Sequence, residues 1–142
     1  MSAVGTRDLV LIVDGTDHSA AILTAVIRSA ASGKTFVSFA AAAAGGAREY
    51  HLTMALYQDV SGLSLWTVVW SRFAEDVPFE LWPMGRPDDG VPTADQPRSV
   101  GIATVADPDG DFLGGTADPD PQARMTTEVE WLCEDKPVLE TS

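Results

Sequence analysis

The residues able to do chemistry are scattered along this chain, and their spacing completes no catalytic or ligand set. Ser32-Gly33-Lys34-Thr35 has the form of the end of a phosphate-binding loop, in which backbone N–H groups cradle the phosphates and the lysine meets their charge. Such a loop also needs a glycine where Arg28 stands, and a side chain there would crowd the turn. Asp107, Asp109 and Asp111 have the i, i+2, i+4 spacing of calcium-loop carboxylates. The turn glycine of that loop belongs where Phe112 stands, Gly110 comes too early, and the closing glutamate position holds Asp118. A solvated turn is the simpler reading, and a weak adventitious calcium site is the sharper one. Cys133 has no CxxC or His-rich neighbourhood to make it a ligand or an activated thiol. His18 and His51 have no partner cluster, and no serine lies in a GxSxG elbow. Glu128 and Glu130 share one face of a strand, but a sheet surface is not a cleft. Nothing brings a nucleophile, a base and an orienting group together, so the reading is a non-enzyme with no cofactor and no bound metal.

The elements that carry these residues are mostly strands. Residues 8–14 (DLVLIVD) form a short apolar run closed by Asp14-Gly15, a buried strand followed by a turn. Residues 19–29 hold β-branched Ile22, Thr24, Val26 and Ile27 among alanines and read as a strand in spite of the helix-permitting alanines. Residues 30–47 contain Gly33, Gly45, Gly46 and the run Ala40–Ala44 with few charges: a flexible surface loop, a short glycine-stopped helix or a contact arm. In 49–56, Tyr50, Leu52, Met54 and Leu56 alternate with Glu49, His51, Thr53 and Ala55, the period of a strand with one apolar face.

The period then changes. Trp66, Val69, Trp70 and Phe73 recur at the spacing of one helical face over residues 61–73, with Ser61 or Ser64 available as N-cap. This stripe predicts a helix packed onto a sheet. Val77, Phe79 and Leu81 alternate in a further strand, which Pro78 would confine to an edge or a bulge. A Pro-rich loop (83–97), a strand (98–106), a second loop rich in aspartate (107–121) and a strand in which Met125, Thr127, Val129 and Trp131 alternate with Arg124, Thr126, Glu128 and Glu130 complete the pattern. The last residues, KPVLETS, read as an extended tail.

At 142 residues and 45% hydrophobic content, the chain fits one globular domain with a sizeable core. No run of apolar residues is long enough for a membrane span, and the first residues lack the basic start and apolar middle of a secretory signal. Nine Lys and Arg against twenty-one Asp and Glu give a net charge of −12. Proteins that grip nucleic acid concentrate positive charge on it, so specific DNA binding is not expected. An acidic surface serves solubility, or it keeps DNA from sticking.

Read in order, the segments LIVDGTDHS, YHLTMALYQDVSGLSLWTVVWSRFAEDVPFELWPMG, PTADQPRSVGIATV and TTEVEWLCEDKPVLET resemble the major tail tube proteins of long-tailed (siphovirus-like) bacteriophages, particularly those of actinobacterial hosts. The closing E-x-E-W strand followed by Pro and Thr is typical of that family, and the likeness covers nearly the whole chain. It implies a mainly β fold, an antiparallel β-sandwich or partial barrel with one flanking α-helix, as a single domain over residues 1–142. It implies six copies in a ring whose inner wall is one continuous β-barrel, with rings stacked into a tube. The long connection at about 31–47 matches the family's inter-ring contact arm, with Phe36, Phe39 and Ala42 as contact candidates, and residues 134–142 match an extended C-terminal tail. Trp66, Val69, Trp70 and Phe73 are expected to pack the helix on the sheet, and Glu49, Glu128 and Glu130, on polar strand faces, to line the lumen. The partners so implied are further copies of the chain, the tape measure, tail terminator and distal tail proteins, and DNA that passes without specific binding; no membrane is involved. The expected location is the virion tail, after synthesis in the host cytoplasm. A tail terminator or head–tail joining protein, or a stand-alone β module binding calcium at Asp107, Asp109 and Asp111 or binding a small ligand, are the competing readings.

Overall fold

A computed structural model describes residues 5, 7–31 and 48–142. The proposed arm contacts Phe36, Phe39 and Ala42, and the alanine run, lie outside the described residues. Among the described residues eight strands form two antiparallel sheets, with one α-helix beside them (β1 Val10–Val13, β2 Thr16–Asp17, β3 Ile22–Ala31, β4 Arg48–Tyr57, α1 Leu65–Ser71, β5 Asp76–Trp82, β6 Arg98–Thr104, β7 Thr126–Leu132 and β8 Val138–Glu140). The first sheet has the order β2-β1-β5-β6-β8 and the second β3-β4-β7. This is a mainly β protein, consistent with a β-sandwich; among the described residues one α-helix packs on it and the sheets do not close into a barrel. Among the described residues no helix is long and apolar enough to cross a membrane.

The alternation legible in the chain places the core between the sheets. Leu52, Met54 and Leu56 from β4, and Thr127, Val129 and Trp131 from β7, are buried. They meet Leu11 and Val13 from β1 and Val77, Phe79 and Leu81 from β5. Each fully buried aliphatic or aromatic side chain contributes about 1.5–3 kcal/mol of transfer free energy, so this layer drives the fold. Asp14 (φ 50°) and Gly15 (φ 81°) form the two-residue turn joining β1 to β2, with Val13 paired to Thr16. A turn with both central residues at positive φ suits the twist of the paired strands, which is why Asp-Gly stands here.

Two expectations are corrected and a third is refined. Pro78 is not on an edge strand, because β5 lies in the middle of its sheet between β1 and β6. Pairing with β1 stops at Phe79, where β1 turns away, and Pro78 contributes its carbonyl to the Asp14 N–H (2.8 Å), so its missing donor interrupts no ladder there. The C-terminal residues are not merely extended, since Val138–Glu140 add β8 to β6. Arg98 fastens that strand by bonding Glu140 (2.5 Å) and Glu80 (2.7 Å). The helix is shorter than its stripe. Ser64 caps it by accepting from the Thr67 N–H (3.2 Å), and it ends at Ser71 with Arg72 as C-cap.

That shortening decides which stripe residues pack. Leu65, Trp66 and Val69 are buried, while Trp70 is 52% and Phe73 63% exposed. Phe73 lies past the last turn, and Trp70 covers Phe112 of the loop after β6 (4.7 Å) instead of the sheet. Trp66 stacks against Trp70 (5.1 Å) and donates its indole N–H to the Phe112 carbonyl (2.9 Å). The helix therefore holds a loop as well as a sheet.

Candidate functional site

The charged outer face of the β3-β4-β7 sheet is where the polar residues singled out above come together. In β4, residues that alternate with the buried Leu52, Met54 and Leu56 must point outward, which places Glu49, His51, Thr53 and Ala55 on this face. The same parity in β7 turns out Thr126, Glu128, Glu130 and Leu132. Register sets the rows: Arg28 of β3 pairs with His51 of β4, and His51 with Leu132 of β7. One step along, Val26 pairs with Thr53, and Thr53 with Glu130. His51 lies between two carboxylates, with Nε2 3.9 Å from Glu49 and Nδ1 3.6 Å from Glu130.

Along β7 this face borders a groove of ≈ 580 Å³ lined by Thr53, Glu128 and Glu130 of the sheet and by Asp107, Asp109 and Asp111 of the loop after β6. The loop that makes the far wall is tied down. Buried Thr127 donates its hydroxyl to the Asp111 carbonyl, and Gln58 bonds the backbone of Gly114 in both directions, accepting its N–H at 2.7 Å and donating to its carbonyl at 2.9 Å. Five carboxylates thus face one groove without a lysine or arginine in its lining. Among the described residues, no three His, Cys, Asp or Glu side chains are grouped closely enough to hold a metal ion, so the aspartates at 107, 109 and 111 line a wall and do not converge.

All three residues assigned to a lumen, Glu49, Glu128 and Glu130, thus lie on one face of one sheet. Sequence reasoning missed Arg28, which it met only as the residue spoiling a phosphate loop. It also missed that the aspartates of the second loop stand beside Glu128 and Glu130. Register was the missing signal, since no local pattern places β3 beside β4 or the loop beside β7. Elsewhere, Cys133 is 5% exposed, and burial pushes its thiol up from the ordinary value, the opposite of an activated nucleophile. His18 is buried, and desolvation holds its imidazole below the ordinary value against an opposing pull from Asp17.

Comparison of the chain with protein-family models, with curated proteins and with solved structures gives no match.

Proposed function

We propose that the chain is the tail tube subunit of a long-tailed bacteriophage, a structural virion protein that works by assembling into stacked rings around a DNA channel. The observation that carries this reading is the β3-β4-β7 sheet. Among the described residues it has two unpaired edges, one of ten and one of seven residues, and its outer face is studded with carboxylates. Long bare edges invite association, and joining them from copy to copy removes them. Closing the second sheets of several copies edge to edge makes a continuous wall with Glu49, Glu128 and Glu130 on one side of it. With these carboxylates on the inside, phosphates meet three glutamates against the single arginine, Arg28, that the described residues place on this face, so like charge prevails and DNA slides without settling. The resemblance to the tail tube family supplies the stacking, the tape measure, terminator and distal tail partners, and the virion location in this proposal.

Negative-stain microscopy of the concentrated purified chain tests it. Tubes, or stacked rings with a central bore, are the expected result. Rings that never stack would reassign the chain to the tail terminator or head–tail joining class, and featureless monomers at high concentration would sink the assembly reading altogether.

A further inference from the structure

The outer face of the β3-β4-β7 sheet is electrically lopsided. At its β3 edge stands Arg28, exposed and without an ion-pair partner among the described residues. At its β7 edge stand Glu128 and Glu130, facing the groove whose opposite wall is Asp107, Asp109 and Asp111. The His51 imidazole approaches only Glu130 of these five. Carboxylates gathered in this way repel one another, and a cation brought from outside would relieve them.

We propose that this groove is the socket for the β3 edge of a second copy of the same chain, with Arg28 of the incoming copy seated against Glu130. The proposal rests on the assembly reading above and adds the partner edge, its polarity and the residues that enforce it. Pairing β3 with β3 would bring no carboxylate to Arg28, since β3 holds none, and pairing β7 with β7 would set Glu128 of each copy against Glu130 of the other. Like charges opposite one another across strands are destabilising. Only β3 against β7 matches cation to carboxylate, and that contact is head-to-tail, the kind that generates rings instead of two-fold dimers. Both β3 and β7 run antiparallel to β4, so they point the same way, and copies related by a ring axis join them in parallel. Within one sheet Arg28 lies in the row of Leu132. A stagger of about two residues at the seam, of the kind that closing a barrel imposes, moves it beside Glu130.

A charge-swap experiment on the full-length chain tests this, read by sedimentation velocity and negative stain. Arg28→Glu and Glu130→Arg should each weaken association at least about tenfold. Both positions are exposed, so far-UV circular dichroism should be unchanged, and Arg28→Gln and Glu130→Gln serve as milder versions if a reversal misfolds. An equimolar mixture of Arg28→Glu with Glu130→Arg should regain assembly, because alternating copies again match opposite charges at every seam. Single variants that assemble like wild type, or a mixture that stays dissociated, would overturn the seam while leaving the assembly reading standing. A wild-type chain that never associates would overturn both.

Discussion

Gln58 holds the long loop between β6 and β7 in place, and its removal gives a quantitative test of how the groove wall is built. Its side chain makes three hydrogen bonds, donating to the carbonyls of Gly114 (2.9 Å) and Thr126 (2.8 Å) and accepting from the Gly114 N–H (2.7 Å). A neutral hydrogen bond contributes about 0.5–1.5 kcal/mol net. Because this site is only half-buried and water can replace part of the loss, Gln58→Ala should cost about 2–3 kcal/mol. For a domain of this size that corresponds to a fall in Tm of roughly 6–12 °C. Gln58→Glu separates donor from acceptor effects. The carboxylate still accepts from Gly114 but faces two carbonyls it cannot donate to, so at neutral pH the loss should match or exceed that of alanine. Those carbonyls favour the protonated acid in the folded state and raise its pKa there. The protonated form's stability is therefore fully present below the unfolded value of about 4.3 and is lost as pH rises through the folded value. Urea unfolding of the three proteins, with hydrogen exchange at the Gly114 amide, is the assay. A loss below about 0.5 kcal/mol for Gln58→Ala, with Gly114 protection unchanged, would refute the account of the loop.

Other outcomes follow from the same structure. A Cβ added at Gly101 would come 2.9 Å from Cζ of Phe79, which is 1% exposed and cannot retreat, so Gly101→Ala should cost about 1–3 kcal/mol in chemical denaturation, and less in a Phe79→Leu background. Because burial depresses the His18 pKa, the unfolded chain binds the proton first as pH falls, and stability should decline below about pH 6.5; His18→Gln should flatten that slope in pH-dependent melting. The buried Cys133 thiol should react with a disulfide reagent roughly a hundredfold more slowly in the folded chain than in denaturant, and equal rates would contradict its burial. Under the tail tube proposal, Glu49→Gln combined with Glu128→Gln should leave tubes intact and slow DNA delivery, and unchanged infectivity would remove these residues from the lumen.

What the sequence made legible was whatever rests on local periodicity. The alternation in 49–56 and 124–131 identified β4 and β7 and the correct inward faces, because burial of one face selects one residue in two. The Asp14-Gly15 turn was readable for the same reason, and the helix cap was narrowed to Ser61 or Ser64, of which the structure selects Ser64, since each depends on a residue's own backbone chemistry. Long-range pairing was not readable. Val138 and Leu139 are both exposed, so no burial pattern announces β8, whose place is set by its ladder with β6 and by Arg98. Pro78 suggested an edge because the rule concerns the strand, and only the structure shows that the neighbouring strand has already turned away. The stripe at Trp70 and Phe73 promised sheet packing, but a helix that stops at Ser71 cannot present Phe73, and Phe112 from a distant loop claims Trp70. The acidic groove needed two segments distant in sequence to meet, and composition alone cannot arrange that meeting.

After β7 the chain changes sheets within two residues. The Cys133 N–H bonds to the Tyr50 carbonyl (2.8 Å), whereas the Glu134 N–H bonds to the Ile102 carbonyl (2.8 Å), so adjacent amides belong to different layers. A splice this short has no slack. A pull on the residues after Glu134 reaches β4 through a single peptide unit, and a tilt of the smaller sheet drags the rim of the larger one with it. The two layers are thereby coupled at this end, like covers on a common spine, so that a force on one is carried directly to the other.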